Sequence, residues 1–124
     1  MAVVMVIDDD SALRRLVQRA LSGDGHEVIE AENGEEGLTL LQRHRPDLVV
    51  TDILMPKKEG IETISRMKEH HPAIKIIAMS GGGLSGNLMF LDVARALGVE
   101  ATLAKPFRAA ELTETVARVL GGLD

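Results

Sequence analysis

Short apolar runs alternate with longer stretches in which apolar residues recur every three or four positions, and the alternation repeats about five times along the chain. That is the pattern of an α/β fold. Val3 to Ile7 is a nearly unbroken apolar run, expected of a parallel strand buried on both faces. Leu13, Leu16, Val17, Ala20 and Leu21 then predict a helix, with Ser11 as its cap and Gly23 and Gly25 as its stop. Val28-Ile29 reads as a weaker strand. Asn33, with Glu36 three residues on, predicts the start of a second helix that carries Leu38 and Leu41 inward and ends at Pro46. Leu48 to Thr51 is a β-rich run that delivers Asp52 to its C-terminal end. Ile61, Ile64 and Met67 mark a third helix, ended by Pro72. Ile74 to Met79 predicts a strand, followed by a glycine-rich loop from Ser80 to Gly86. Leu88, Leu91, Ala94 and Leu97 fit a fourth helix, Val99 to Ala104 a short fifth strand, and Leu112, Val116, Val119 and Leu120 a closing helix.

Composition narrows the function. The 124 residues suit one domain spanning 1–124, with no linker or tandem repeat. Apolar residues at 45% and charged ones at 27% exclude a disordered chain, which lacks the apolar surface to offset ordering entropy. Without cysteine there is no disulfide scaffold, thiolate nucleophile or cysteine-based metal centre. A net charge of −5 argues against a broad grip on nucleic acid, and Phe90 and Phe107 are too few for base stacking. No apolar run approaches the roughly 20 residues that cross a bilayer. Met1 to Ile7 lacks a basic leader, so the expectation is a cytoplasmic protein without membrane insertion.

In an open parallel sheet, ligands bind beyond the carboxyl ends of the strands. The polar residues that follow the apolar runs are Asp8, Asp9 and Asp10, then Asp52, Ser80 and Lys105, and the fold class brings them to one rim. Carboxylates gathered there repel one another without a cation. Mg²⁺ suits them, because it takes hard oxygen ligands and serves phosphate chemistry. Lys105 then supplies a point charge and Ser80 a hydrogen-bond donor for phosphoryl oxygens, while Asp52 can form an acyl phosphate. Taken alone, Asp8 to Asp10 would read as the acidic first turn of a helix, and Asp52 as a turn or cap residue.

Ile7-Asp8-Asp9, Asp52-Ile53-Leu54-Met55-Pro56 with Gly60, Met79-Ser80-Gly81 and Lys105-Pro106-Phe107 occur in this order over essentially the whole chain. In that order and spacing, the sequence resembles the receiver domain of two-component response regulators. The resemblance implies a flavodoxin-like, doubly wound (βα)5 sheet in strand order 2-1-3-4-5. It implies Asp52 as phosphoacceptor, Asp9 and Asp52 as direct Mg²⁺ ligands, Asp8 as a ligand through water, and the Leu54 backbone carbonyl as a further ligand. It implies Ser80 as the hydroxyl that moves to the phosphoryl group, Lys105 as its ion-pair partner, and a cis Lys105-Pro106 bond. The expected function is a stand-alone response regulator, without an attached output domain. Such a protein takes a phosphoryl group from a sensor histidine kinase or phosphotransfer protein and acts on a downstream protein target, as a monomer or weak dimer.

Two departures stand out. Thr102 occupies the place, three residues before the lysine, where the family commonly has Tyr or Phe. The segment from Ser80 to Lys105 is a few residues longer than usual, and its glycines predict a mobile loop and a late-starting fourth helix. That loop also matches a dinucleotide fingerprint, but it follows the wrong strand and lacks the acidic residue for a ribose. His70 and His71 are adjacent, so they make a poor metal pair on a helix, and Lys57 and Lys58 read as a solvated face that could steer a kinase. Competing functions are a pseudo-receiver that only binds partners and an aspartate-nucleophile phosphatase. The phosphatase needs a second Asp two residues after the first, where this chain has Leu54.

Overall fold

The computed structural model describes residues 2–53, 59–80 and 92–121. Five parallel strands form one sheet in the order β2-β1-β3-β4-β5: β1 is Val3–Ile7, β2 Glu27–Ala31, β3 Leu48–Asp52, β4 Lys75–Ser80 and β5 Ala101–Ala104. Helices α1 (Ser11–Gly23), α2 (Gly34–His44) and α3 (Glu59–His70) separate the strands, residues 92–96 are helical, and a C-terminal helix spans Ala109–Leu120. The expected flavodoxin-like order is the one observed.

The central strands are buried along nearly their whole length because each serves two cores. Met5 and Ile7 of β1, Val49 of β3 and Ile76 and Ala78 of β4 pack with Leu41, Ile64, Met67 and Ala94 on one face. Val4, Val6, Leu48, Val50, Ile77 and Met79 point the other way, against Val17 and Leu21 of α1 and Leu112, Val116 and Val119 of the C-terminal helix. A period of two in the strands meets a period of 3.6 in the helices, and both faces of the sheet are closed.

Local signals set the helix ends, with one correction. The cap of α1 is Asp10, not Ser11: its carboxylate accepts from the Ala12 and Leu13 amides, and Ser11 is already helical. Asp10 wins because its backbone is extended and its carboxylate, unlike a hydroxyl, brings a charge to the positive end of the helix. Asn33 caps α2 as expected, accepting from the Glu36 amide at 2.8 Å, while the Glu36 side chain reaches back to the Glu32 amide at 2.7 Å. Removing that cap in Asn33→Ala is expected to cost about 1 kcal/mol, read as a lower urea midpoint. An unchanged midpoint would assign the start of α2 to packing alone.

Two strand boundaries also differ from expectation. β4 runs one residue later, so Ser80 is its last member rather than the first of a loop. β5 begins only at Ala101, because Glu100 is used otherwise. Its amide donates to the Ile76 carbonyl at 2.9 Å and its carboxylate accepts from the Ile76 amide at 2.7 Å. Lys68 joins this clasp, donating to the Ile74 carbonyl at 2.7 Å and lying 3.4 Å from Glu100. Leu120, expected on the inner face of the last helix, is only partly buried. No helix among the described residues is long and apolar enough to cross a membrane.

Candidate functional site

The chain leaves β1 on one side to form β2 and returns on the other side to form β3, so the topological switch lies between β1 and β3. Both strands deliver carboxylates to that crevice. Asp8 and Asp9 follow β1 directly, Asp52 ends β3, and one ligand oxygen from each of the three lies within 4.8 Å of the others. Asp8 and Asp52 are buried, at 1% and 4% exposure, while Asp9 is exposed. Burying like charges this close is unfavourable unless cations answer them.

Among the described residues, Lys105 brings a cation to these carboxylates. Lys105 directly follows β5: its bond to Pro106 is cis, and its Nζ lies 2.6 Å from Asp8 Oδ2 and 3.6 Å from Asp52 Oδ2. The lysine therefore sits closer to Asp8 than to the proposed phosphoacceptor. Asp8 also accepts from the Asp10 amide at 2.9 Å, so one carboxylate joins the lysine to the start of α1. Ser80 stands alongside, because β4 and β5 pair Ser80 with Ala104 and the Lys105 amide donates to the Ser80 carbonyl at 2.7 Å. Its hydroxyl is buried and has no hydrogen-bond partner among the described residues. An orphaned buried hydroxyl costs about 1–3 kcal/mol, so a polar partner arriving at this rim would be stabilised.

A family profile for the response regulator receiver domain matches residues 4–117. The chain belongs to that family. Among curated relatives, this receiver is 31% identical over 117 residues to the sporulation initiation phosphotransferase F of Bacillus subtilis, covering 94% of the chain and 92% of that protein. It is 34% identical over 123 residues to the probable transcriptional regulator ycf27 of Porphyridium aerugineum, covering 98% of the chain but 49% of the relative. The chain thus spans about half the length of several relatives it matches and nearly all of another. The solved receiver domain of NtrX from Brucella abortus superposes with a TM-score of 0.88 at 29% identity, covering 95% of this chain and 98% of that one. Receiver domains are signalling modules of two-component systems rather than classical enzymes.

The structure brings Asp8, Asp9, Asp52, Ser80 and Lys105 of this receiver to one rim, from positions spread over most of the sequence. Leu54, expected to offer its carbonyl, lies outside the described residues, as do Lys57, Lys58 and the Gly81 to Gly86 loop. Thr102, in place of an aromatic ring, is half-buried and accepts from Arg95 Nη2 at 3.3 Å. His26, which carries no signal of its own in the sequence, accepts the Ala2 amide on Nδ1 at 3.1 Å and so holds the start of β1.

Sequence reasoning missed Arg14. Its Nη1 donates to the Asp8 backbone carbonyl at 2.7 Å, and its Nε lies 3.1 Å from Glu30 Oε1 on β2. The only available signal was its place one turn after Asp10 on α1, and nothing in the sequence separates it from neighbouring Arg15.

Proposed function

We propose that this receiver accepts a phosphoryl group on Asp52, from a phosphohistidine of a sensor histidine kinase or phosphotransfer protein, and signals through the altered surface that results. The observation supporting this most strongly is the convergence, at the ends of four strands, of three carboxylates, a lysine and a buried hydroxyl that has no partner among the described residues. Asp8, Asp9 and Asp52 suit a hard divalent ion in type and spacing, with the Leu54 carbonyl as a further donor. Mg²⁺ bound there would supply positive charge for the oxygens of the transferred group.

The residues of the chain have distinct tasks. An Asp52 carboxylate oxygen attacks phosphorus in line; the P–O bond forms as the P–N bond breaks, and the imidazole leaves with the bonding pair. Lys105, tethered to buried Asp8, stands within reach of Asp52 and can turn toward an equatorial phosphoryl oxygen. The Ser80 hydroxyl gains an acceptor. Both movements pull on the ends of β4 and β5, which pair Ser80 with Ala104. With Thr102 in place of a ring, the change passes through the backbone of these strands rather than through rotation of an aromatic side chain.

The test is incubation with acetyl phosphate and Mg²⁺ followed by intact mass measurement. A single alkali-labile phosphoryl increment that is lost on chelation is the expected outcome, and its absence would overturn the reading. In Lys105→Ala, partial phosphorylation is expected to persist while the amide shifts of Ala101–Ala104 stay at their unphosphorylated positions. Normal phosphorylation-dependent shifts in that variant would remove the lysine from the switch.

A further inference from the structure

The geometry points to Arg14 as a positioning residue that sets the direction of the two N-terminal carboxylates by holding the peptide between them. This inference rests on the metal-binding reading of the site given above. Consecutive residues of an extended chain point to opposite sides. Yet Asp8 and Asp9 both present oxygens within 4.8 Å of Asp52. Such convergence requires the Asp8–Asp9 peptide plane to be turned out of strand geometry and kept there. The carbonyl of that peptide is the one Arg14 Nη1 grips at 2.7 Å.

The grip is rigid for three reasons. The sheet register ends at Ile7 paired with Ala31, so the Asp8 carbonyl lies beyond the ladder and Arg14 takes the place of a strand donor. The Arg14 amide donates to the Asp10 carbonyl at 3.1 Å, which fixes the base of the side chain to the same turn it braces. Its Nε is tied to Glu30, and only 14% of the side chain is exposed, so the guanidinium spans from β2 to the acidic turn. The planar fork holds the Asp8 carbonyl on Nη1 and Glu30 on Nε at a fixed spacing, which the single nitrogen of an ammonium does not reproduce. The guanidinium also brings a fixed positive charge one peptide away from the carboxylates.

The test compares wild type, Arg14→Ala, Arg14→Lys, Glu30→Gln and the exposed control Arg15→Ala. The first readout is metal-free: the amide shifts of Asp9 and Asp10 are expected to move in Arg14→Ala and to stay in place in Arg15→Ala. The second is Mg²⁺ affinity by calorimetric titration. About tenfold weakening is expected for Arg14→Ala, within the range seen when groups that orient metal ligands are removed. About two- to threefold is expected for Glu30→Gln, an intermediate value for Arg14→Lys, and none for Arg15→Ala. The milder Glu30→Gln keeps the inference testable if Arg14→Ala unfolds. Wild-type affinity and unmoved Asp9 shifts in folded Arg14→Ala would overturn the assignment while leaving the site itself standing. Failure of the wild type to bind Mg²⁺ would overturn the metal reading, and this inference with it.

Discussion

Asp52→Asn is expected to take up no phosphoryl group from acetyl phosphate, with complete loss of the mass increment rather than a reduced rate. The amide that replaces the carboxylate keeps its shape but has no anionic oxygen to attack phosphorus, and its neighbours cannot substitute for it. Asp8 is held by Lys105 at 2.6 Å and by the Asp10 amide, so its oxygens are committed. Asp9 is exposed and lies in the turn beyond β1 rather than at the end of β3. The substitution also removes one of three clustered negative charges, so without divalent ions the thermal midpoint is expected not to fall. Phosphorylation of this variant at another residue, detected by mass and peptide mapping, would place the phosphoacceptor elsewhere.

The second large effect is expected at Gly60. A Cβ built there would meet the backbone of the chain that leaves β3, lying 2.6 Å from the Asp52 carbonyl oxygen and 2.7 Å from the Ile53 carbonyl carbon. Two effects oppose each other in Gly60→Ala. Alanine is the better helix former by about 1 kcal/mol, and Gly60 lies in the first turn of α3. The clash is with backbone, which cannot rotate away as a side chain could, and forced overpacking costs about 1–3 kcal/mol, more at the high end where nothing can yield. The clash therefore dominates, and a net loss of about 2 kcal/mol is expected in urea unfolding, together with slower phosphorylation, because the peptide displaced is that of Asp52. A variant as stable as the wild type would show that α3 can slide outward freely.

The fold was legible because hydrophobic periodicity is set by burial, and burial here is nearly complete: β1, β3 and β4 serve both cores and so read as unbroken apolar runs. Boundaries were less legible where a side chain replaced a ladder bond. Glu100 occupies a strand-like position, yet it spends both its amide and its carboxylate on Ile76, which no propensity could anticipate. Ser11 and Asp10 are both good caps by type, and the extended backbone at Asp10 together with the charge of its carboxylate decides between them. At the site, charged residues at strand ends could be read directly, since the topology gathers them without regard to their spacing. The braces could not: Arg14 and Arg15 are indistinguishable in sequence, and the contact of one with the Asp8 carbonyl is a tertiary fact.

The two ends of this sheet are built on opposite terms. At the end where β1, β3 and β4 begin, side chains stitch backbone to backbone: His26 to Ala2, Asp47 to Val3 at 2.8 Å, Lys75 to the Val119 carbonyl at 3.2 Å and Glu100 to Ile76. At the other end, three carboxylates crowd together with Lys105 against two of them, and the Ser80 hydroxyl has no partner among the described residues. Resistance to local opening should thus fall from one end of each strand to the other, so that amide exchange slows toward the stitched edge. Substitutions at the site edge can thus be absorbed while the opposite edge keeps the framework folded.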